Sequence, residues 1–358
     1  MGMSKETWHL RFAITGKCNF RCQYCNIHGK TQFLQDLAFK EVKEILEAVK
    51  LNGIDRVHFT GGEPFLRNDM LDIMATAKKI GFSEQVVTTN GFNLYKIIDQ
   101  AIEHGLTRAI ISLDTMSQKR NLEITQRDKF EDTIKSIKAA TQKLETTTKI
   151  SCVTMKSTLK EIPKFIEFIK KANSNPNNKG ELALKLNQFH PDNEAQLYSK
   201  GQKYWADEYV DEKDIIATLG KIGKLQAVES NETEGDNPSY QYYEIGNTGV
   251  KVGILAMMSW GFPCGKCHKL RIQPSGYVKV CKNYKKSPVL AGLSLEQKTK
   301  IISEWKHYRD NILDIAKPNR IHYDSQLGEE RWGKVGKPKE AKFFFDLIQK
   351  QKTAQPIT

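Results

Sequence analysis

The chain has 358 residues, of which 39% are hydrophobic and 27% charged, with a formal net charge of +13. That length predicts one large domain plus a smaller one around a substantial core. No run of eighteen apolar residues occurs, which excludes a membrane-spanning helix. The opening MGMSKETWHLRF has neither the apolar stretch of a signal peptide nor an Arg-rich transit character, so a cytoplasmic location is expected. In a reducing compartment the seven cysteines are expected as ligands or buried thiols rather than disulfides. The basic balance suits anionic partners such as phosphates. Without an RNA-recognition signature or a basic aromatic platform, it does not predict nucleic-acid binding.

Strand and helix patterns alternate along the first half. WHLRFAI (8–14) reads as a strand, followed by the loop CNFRCQYC; FKEVKEILEAVK (39–50) reads as a helix and RVHFT (56–60) as a strand. The series continues with helix NDMLDIMATAKKI, strand EQVVTT, helix LYKIIDQAIEH, strand RAIISL, helix KFEDTIKSIKAATQKL, strand KISCVTM, helix EIPKFIEFIKKA and strand ELALKLNQF. Such alternation means parallel strands with helical crossovers. The expected fold class is α/β: a partial (β/α)6 barrel with its functional loops at the C-terminal strand ends, an open doubly wound sheet being the alternative. The expected organisation is a barrel over 1–200, a connecting segment over 201–239 with a helix at 213–227, a small β-rich region over 240–285, and a helical tail over 286–358.

CNFRCQYC places Cys18, Cys22 and Cys25 in one loop straight after the first strand. Structural zinc takes four ligands, usually in paired C-x2-C or His sets. A four-iron cluster normally takes four cysteines, so three leave one iron open, as a catalytic site requires. TGGEP (60–64) follows the second strand; its paired glycines allow close approach of backbone polar groups. VTTNG (87–91) and SLD (112–114) end the third and fourth strands. Taken alone, Ser112 and Asp114 are as well explained as caps of the next segment.

Together, CNFRCQYC and TGGEP resemble the radical S-adenosylmethionine (radical SAM) superfamily. The resemblance implies a [4Fe–4S] cluster on Cys18, Cys22 and Cys25, whose open iron chelates SAM. Cleavage of SAM then yields a 5′-deoxyadenosyl radical that abstracts a substrate hydrogen. It also implies cofactor contacts at Tyr24, Gly61, Gly62, Glu63, Thr89, Asn90 and Ser112.

A second set, Cys264, Cys267 and Cys281, has the spacing C-x2-C-x13-C. It lacks a clear fourth ligand for a zinc ribbon, and again points to a cluster with one free iron. With LRFAITGKCNFRCQYC, SLDTMSQKRNLEITQRDKFEDTIKSIKAA and YYEIGNTGVKVGILAMMSWGFPCGKCHKLRI, the region 8–285 resembles the GTP 3′,8-cyclase family of molybdenum cofactor biosynthesis. That likeness implies a lyase with two [4Fe–4S] clusters, SAM, a phosphorylated or nucleotide substrate, and an electron donor such as flavodoxin or ferredoxin. By motif position its phosphate-binding residues fall on Arg67, Lys156, Lys185, Lys269 and Arg271. Lys185 and Gln188 stand where the family usually has Arg and Glu, so two further readings stay open. One is a radical SAM enzyme modifying a peptide or another small molecule; the other is a zinc-stabilised nucleic-acid-binding protein. No protein side chain is assigned to the catalytic step itself. His28 and His58 are expected to be structural or solvated, and Cys152 a buried thiol.

Overall fold

The computed structural model describes residues 8–25, 35–189, 207–230, 239–256, 268–279 and 288–315. The expected β/α units all form: β1 (His9–Thr15), α1 (Phe39–Leu51), β2 (Arg56–Gly61), α2 (Met70–Ile80), β3 (Glu84–Thr89), α3 (Leu94–Glu103) and β4 (Arg108–Ser112). They continue through α4 (Gln118–Thr125), α5 (Phe130–Lys143), β5 (Thr148–Thr154), α6 (Ile162–Asn173) and β6 (Leu182–Gln188). Then come α7 (Glu212–Gly220), β7 (Leu225–Val228), β8 (Gln241–Ile245), β9 (Val250–Leu255), β10 (Lys269–Ile272), β11 (Val278–Lys279) and α8 (Leu295–Ile315).

One eleven-stranded sheet runs in the order β11-β10-β1-β2-β3-β4-β5-β6-β9-β8-β7. The first six strands lie side by side in chain order and pair in parallel. An order that never reverses has no topological switch point, which removes the doubly wound alternative. The segment expected to be a separate small region is joined to the same sheet. β9 pairs with β6 and β10 pairs with β1, so consecutive strands sit at opposite ends of the six-stranded series. Cys264, Cys267, Cys281 and His28 lie outside the described residues.

Two readings are corrected. The helix expected over 213–227 stops at Gly220, and Leu225–Val228 pairs antiparallel with β8. α4 was not expected: its sequence QKRNLEIT is mostly polar, and its visible signal is Ser117, whose side chain accepts from the Arg120 N–H.

Strand alternation divides the sheet's two faces. Leu10, Phe12 and Ile14 of β1, Val57 and Phe59 of β2, and Leu182, Leu184 and Leu186 of β6 join the core under the helices. Their neighbours turn to the lumen and are polar or charged: His9 and Arg11; Arg56 and His58; Lys149 and Ser151; Lys185 and Asn187. At the N-terminal strand ends, Glu84 bridges Arg56 at 2.7 Å and Arg108 at 3.0 Å; these are the first residues of β3, β2 and β4. Arg108 is only 3% exposed. Removing the carboxylate strands buried charge, so Glu84→Ala should lower unfolding free energy by about 3 kcal/mol, read by denaturant titration. An unchanged midpoint would show that the triad does not hold the strand ends together.

Candidate active site

The C-terminal end of β1 leads into the cysteine loop, and that loop is held by backbone. The Gly62 N–H donates to Thr15 O and the Glu63 N–H to Lys17 O, both at 2.8 Å. This contact dictates the glycines. A Cβ on Gly62 would lie 1.9 Å from Lys17 O, and one on Gly61, at φ +136°, 2.3 Å from Thr15 O. The paired glycines thus make a close approach to the loop that carries the cysteines.

Glu63 is fully buried and fixes the same turn from below. Its carboxylate accepts from the Asn90 N–H at 2.6 Å, the Thr89 hydroxyl at 2.7 Å and the Phe65 N–H at 3.2 Å. Burial pushes its pKa up to about 7 against those three hydrogen bonds. The side chains of Glu63 and Thr89 therefore brace the turn. Asn90 reaches the loop directly, its Nδ2 donating to Asn19 Oδ1 at 2.8 Å and lying 4.0 Å from Cys18 Sγ.

The far side of the loop lies on α4. The Arg21 and Gln23 N–H groups donate to Thr125 O and Ile124 O, and Arg127 Nε donates to Asn19 O. Tyr24 donates to Asp114 Oδ2 at 2.7 Å, and Asp114 Oδ1 accepts from the Val153 N–H at 2.8 Å. Tyr24 thus ties the cysteine loop to β4 and β5, and Asp114 acts as its anchor rather than as a helix cap. Ser112 is half-buried at the end of β4, in register with Ser151.

Cys18, Cys22 and Cys25 are free, half-buried thiols. Burial, with Glu63 and Cys25 adding to it, pushes Cys18 up to about 11 against the Phe20 N–H hydrogen bond. Burial, then Asp114 and the other two cysteines, push Cys22 higher still. Three thiolates beside two carboxylates need positive charge among them, which suits an iron–sulfur cluster and a cationic ligand. Among the described residues no three such side chains meet closely enough to share one ion, whereas a cubane asks each cysteine to reach its own iron.

Below the loop, cations gather in the lumen. Register sets Arg11 beside His58 and Arg271, His9 beside Lys269, and Lys185 beside Ser151. Burial and the charges of Lys269, Arg271, Arg56 and Arg11 hold the His9 imidazole neutral. Burial and the charges of Arg11, Lys185 and Lys269, with His9, do the same to His58. Of the five expected substrate residues, Lys185, Lys269 and Arg271 therefore converge. The other two do not. Arg67 gives its guanidinium to Ile14 O, Leu37 O and both Asp69 oxygens, and Lys156 is exposed on the loop after β5. Sequence reasoning missed Arg11, which the strand period could have found, since it shares the lumen face with Lys185. His58 is structural, as expected: its Nε2 meets Thr88 Oγ1 at 2.6 Å.

Residues 12–169 match the model of the radical SAM superfamily. Among curated relatives, the GTP 3′,8-cyclase of Lactiplantibacillus plantarum is 31% identical over 278 residues, 76% of this chain and 78% of that protein. The chain belongs to the radical SAM superfamily. It is an enzyme homologous to GTP 3′,8-cyclase; that of Clostridium perfringens is 29% identical over 84% of this chain and 90% of its own length. In fold, this radical SAM chain resembles Streptococcus suis SuiB bound to S-adenosylmethionine, with TM-score 0.56, 15% identity, and 81% of this chain but only 65% of SuiB covered. It also resembles native anSMEcpe with bound AdoMet and the Cp18Cys peptide, at TM-score 0.55 and 14% identity over 97% and 99% of the two chains.

In this radical SAM protein, Gly62→Ala should displace the cysteine loop, lowering stability by about 2 kcal/mol and reducing iron uptake on reconstitution. Full iron content with unchanged stability would refute the weld. Because Glu63 has a folded pKa near 7 against an ordinary 4.5, the native state binds the extra proton between them. Its contribution is present below pH 4.5 and lost as pH rises through 7. Denaturant titrations of the metal-free protein from pH 5 to 8 should show stability falling, and Glu63→Gln should flatten that trend.

Proposed function

We propose that this enzyme uses Cys18, Cys22 and Cys25 to hold a [4Fe–4S] cluster with one iron left to SAM, and acts on an anionic small molecule, a phosphorylated or nucleotide compound. The observation that carries the substrate class is the convergence of Arg11, Lys185, Lys269 and Arg271 in the lumen beneath the cysteine loop. When bound, the cluster and SAM supply a 5′-deoxyadenosyl radical that abstracts hydrogen.

The chain's own residues supply placement. The Gly61–Gly62 turn, fixed by Glu63, Thr89 and Asn90, offers backbone polar groups at the C-terminal strand ends, and Ser112 offers a hydroxyl beside them. Tyr24, tied to Asp114, closes one side of the site and holds Cys22 and Cys25 in place. Arg11, Lys185, Lys269 and Arg271 grip the anionic end, so the substrate body is oriented upward toward the loop. Burial among low-dielectric strand walls strengthens that grip. His9 and His58, held neutral, add hydrogen-bonding capacity without adding repulsion.

A second [4Fe–4S] cluster on Cys264, Cys267 and Cys281, an electron donor of the flavodoxin or ferredoxin kind, and a cytoplasmic setting complete the reading. Among the described residues no helix is long and apolar enough to cross a membrane. The basic lumen favours a phosphorylated compound over a peptide.

Anaerobic incubation of the reconstituted protein with SAM, dithionite and GTP tests this. Formation of 5′-deoxyadenosine with consumption of GTP supports the cyclase-like form; 5′-deoxyadenosine with GTP intact leaves the radical enzyme and removes GTP. Cys18→Ala should abolish cleavage, and surviving activity contradicts the ligand assignment. Arg11→Ala and Lys185→Ala should each raise the substrate KM at least about tenfold, the scale of one charge-assisted hydrogen bond, while leaving uncoupled SAM cleavage in place.

A further inference from the structure

One wall of the lumen is polar but uncharged and borders the cation cluster. Tyr240, on the approach to β8, donates its hydroxyl to Asn187 Oδ1. Asn187 Nδ2 donates in turn to Ser151 Oγ at 3.1 Å and to Cys152 O at 3.2 Å. With both amide protons committed, the Asn187 oxygen must accept, and the Tyr240 hydroxyl must give it its proton. What Tyr240 Oη retains is an acceptor site. Ser151 Oγ, already accepting, retains a proton to give.

The ring of Tyr240 is fixed as firmly as its hydroxyl. Lys185 Nζ lies 4.6 Å from its centroid, and it stacks on Tyr242 at 6.0 Å with 29° between planes. Gly253 makes the room: a Cβ there would lie 2.7 Å from the Tyr242 ring and 3.2 Å from that of Tyr240. Arg11 is near enough to act electrostatically on the Tyr240 hydroxyl, so the ring stands at the edge of the cation cluster. Tyr240, Asn187 and Ser151 are each only partly buried.

We propose that Tyr240, oriented by Asn187, is a specificity-determining residue that with Ser151 reads hydroxyl groups on the body of an anionic substrate, selecting a sugar-bearing phosphate compound. A fixed acceptor beside a fixed donor matches a hydroxyl or a vicinal diol, which both gives and takes a hydrogen bond, whereas a purely apolar body would leave both groups unanswered. This rests on the lumen being the substrate chamber, as in the proposed function, and adds what the chamber recognises besides charge.

The test compares binding of three probes to anaerobically reconstituted full-length enzyme: tripolyphosphate, GTP and 2′,3′-dideoxy-GTP. Wild type should bind GTP about tenfold more tightly than the dideoxy compound, the scale of one hydrogen bond. In Tyr240→Phe, which keeps the ring over Lys185, that ratio should fall to about one, with tripolyphosphate affinity within about twofold of wild type. Asn187→Leu, which frees the hydroxyl while keeping side-chain volume, should lower the ratio as well. A wild-type ratio of one, or a ratio that Tyr240→Phe leaves intact, overturns the assignment. Failure of tripolyphosphate to bind wild type sinks the anionic-substrate reading instead, and is read independently of the ratio.

Discussion

The site depends on an approach of two backbones that only residues without a Cβ permit. Gly62 N–H on Thr15 O and Glu63 N–H on Lys17 O put the end of β2 against the last residue before Cys18. Every other restraint on the cysteine loop builds on that contact. Glu63 is buried so that it can fix Thr89 and Asn90, Asn90 then touches Asn19, and Tyr24 spans to Asp114 on the far side. The ends of β1 to β5 thereby act as one rigid collar. A cluster ligated from such a collar is positioned relative to the lumen below it, which is what control over a reactive radical demands.

The lumen carries the second constraint. Strand alternation sends the apolar residues under the helices and the polar and charged ones to the inner face. Arg11, Lys185, Lys269 and Arg271 occupy it closely enough to keep His9 and His58 neutral. Like charges gathered in a low-dielectric space repel, and a bound polyanion relieves that repulsion. The Glu84 triad at the N-terminal strand ends sets the lower edge, pairing two of the chain's arginines with protein rather than with ligand. The two arginines of that triad are therefore structural.

Much of this was legible in the sequence. The β/α series was, because each element is long and periodic, and so was the cysteine loop's place after β1. Less visible was what each polar residue does. GGEP shows that backbone must pass close to something, but not that Lys17 is one of its partners. Arg67 follows GGEP at a motif position, yet its donors go to Ile14, Leu37 and Asp69, a pattern set by tertiary contact and absent from local spacing. α4 lacks an apolar stripe and escaped notice. Tyr240 and Asn187 are more than fifty residues apart, and only the β6–β9–β8 pairing order brings them together.

The most direct measurement is Mössbauer or electron–nuclear double resonance spectroscopy of the reconstituted protein carrying Cys264→Ala, Cys267→Ala and Cys281→Ala, so that the N-terminal cluster is observed alone. The account predicts one [4Fe–4S] cluster with a unique iron whose signal changes when SAM is added. A cluster indifferent to SAM, its fourth iron held by a protein side chain, or zinc in its place, would contradict it.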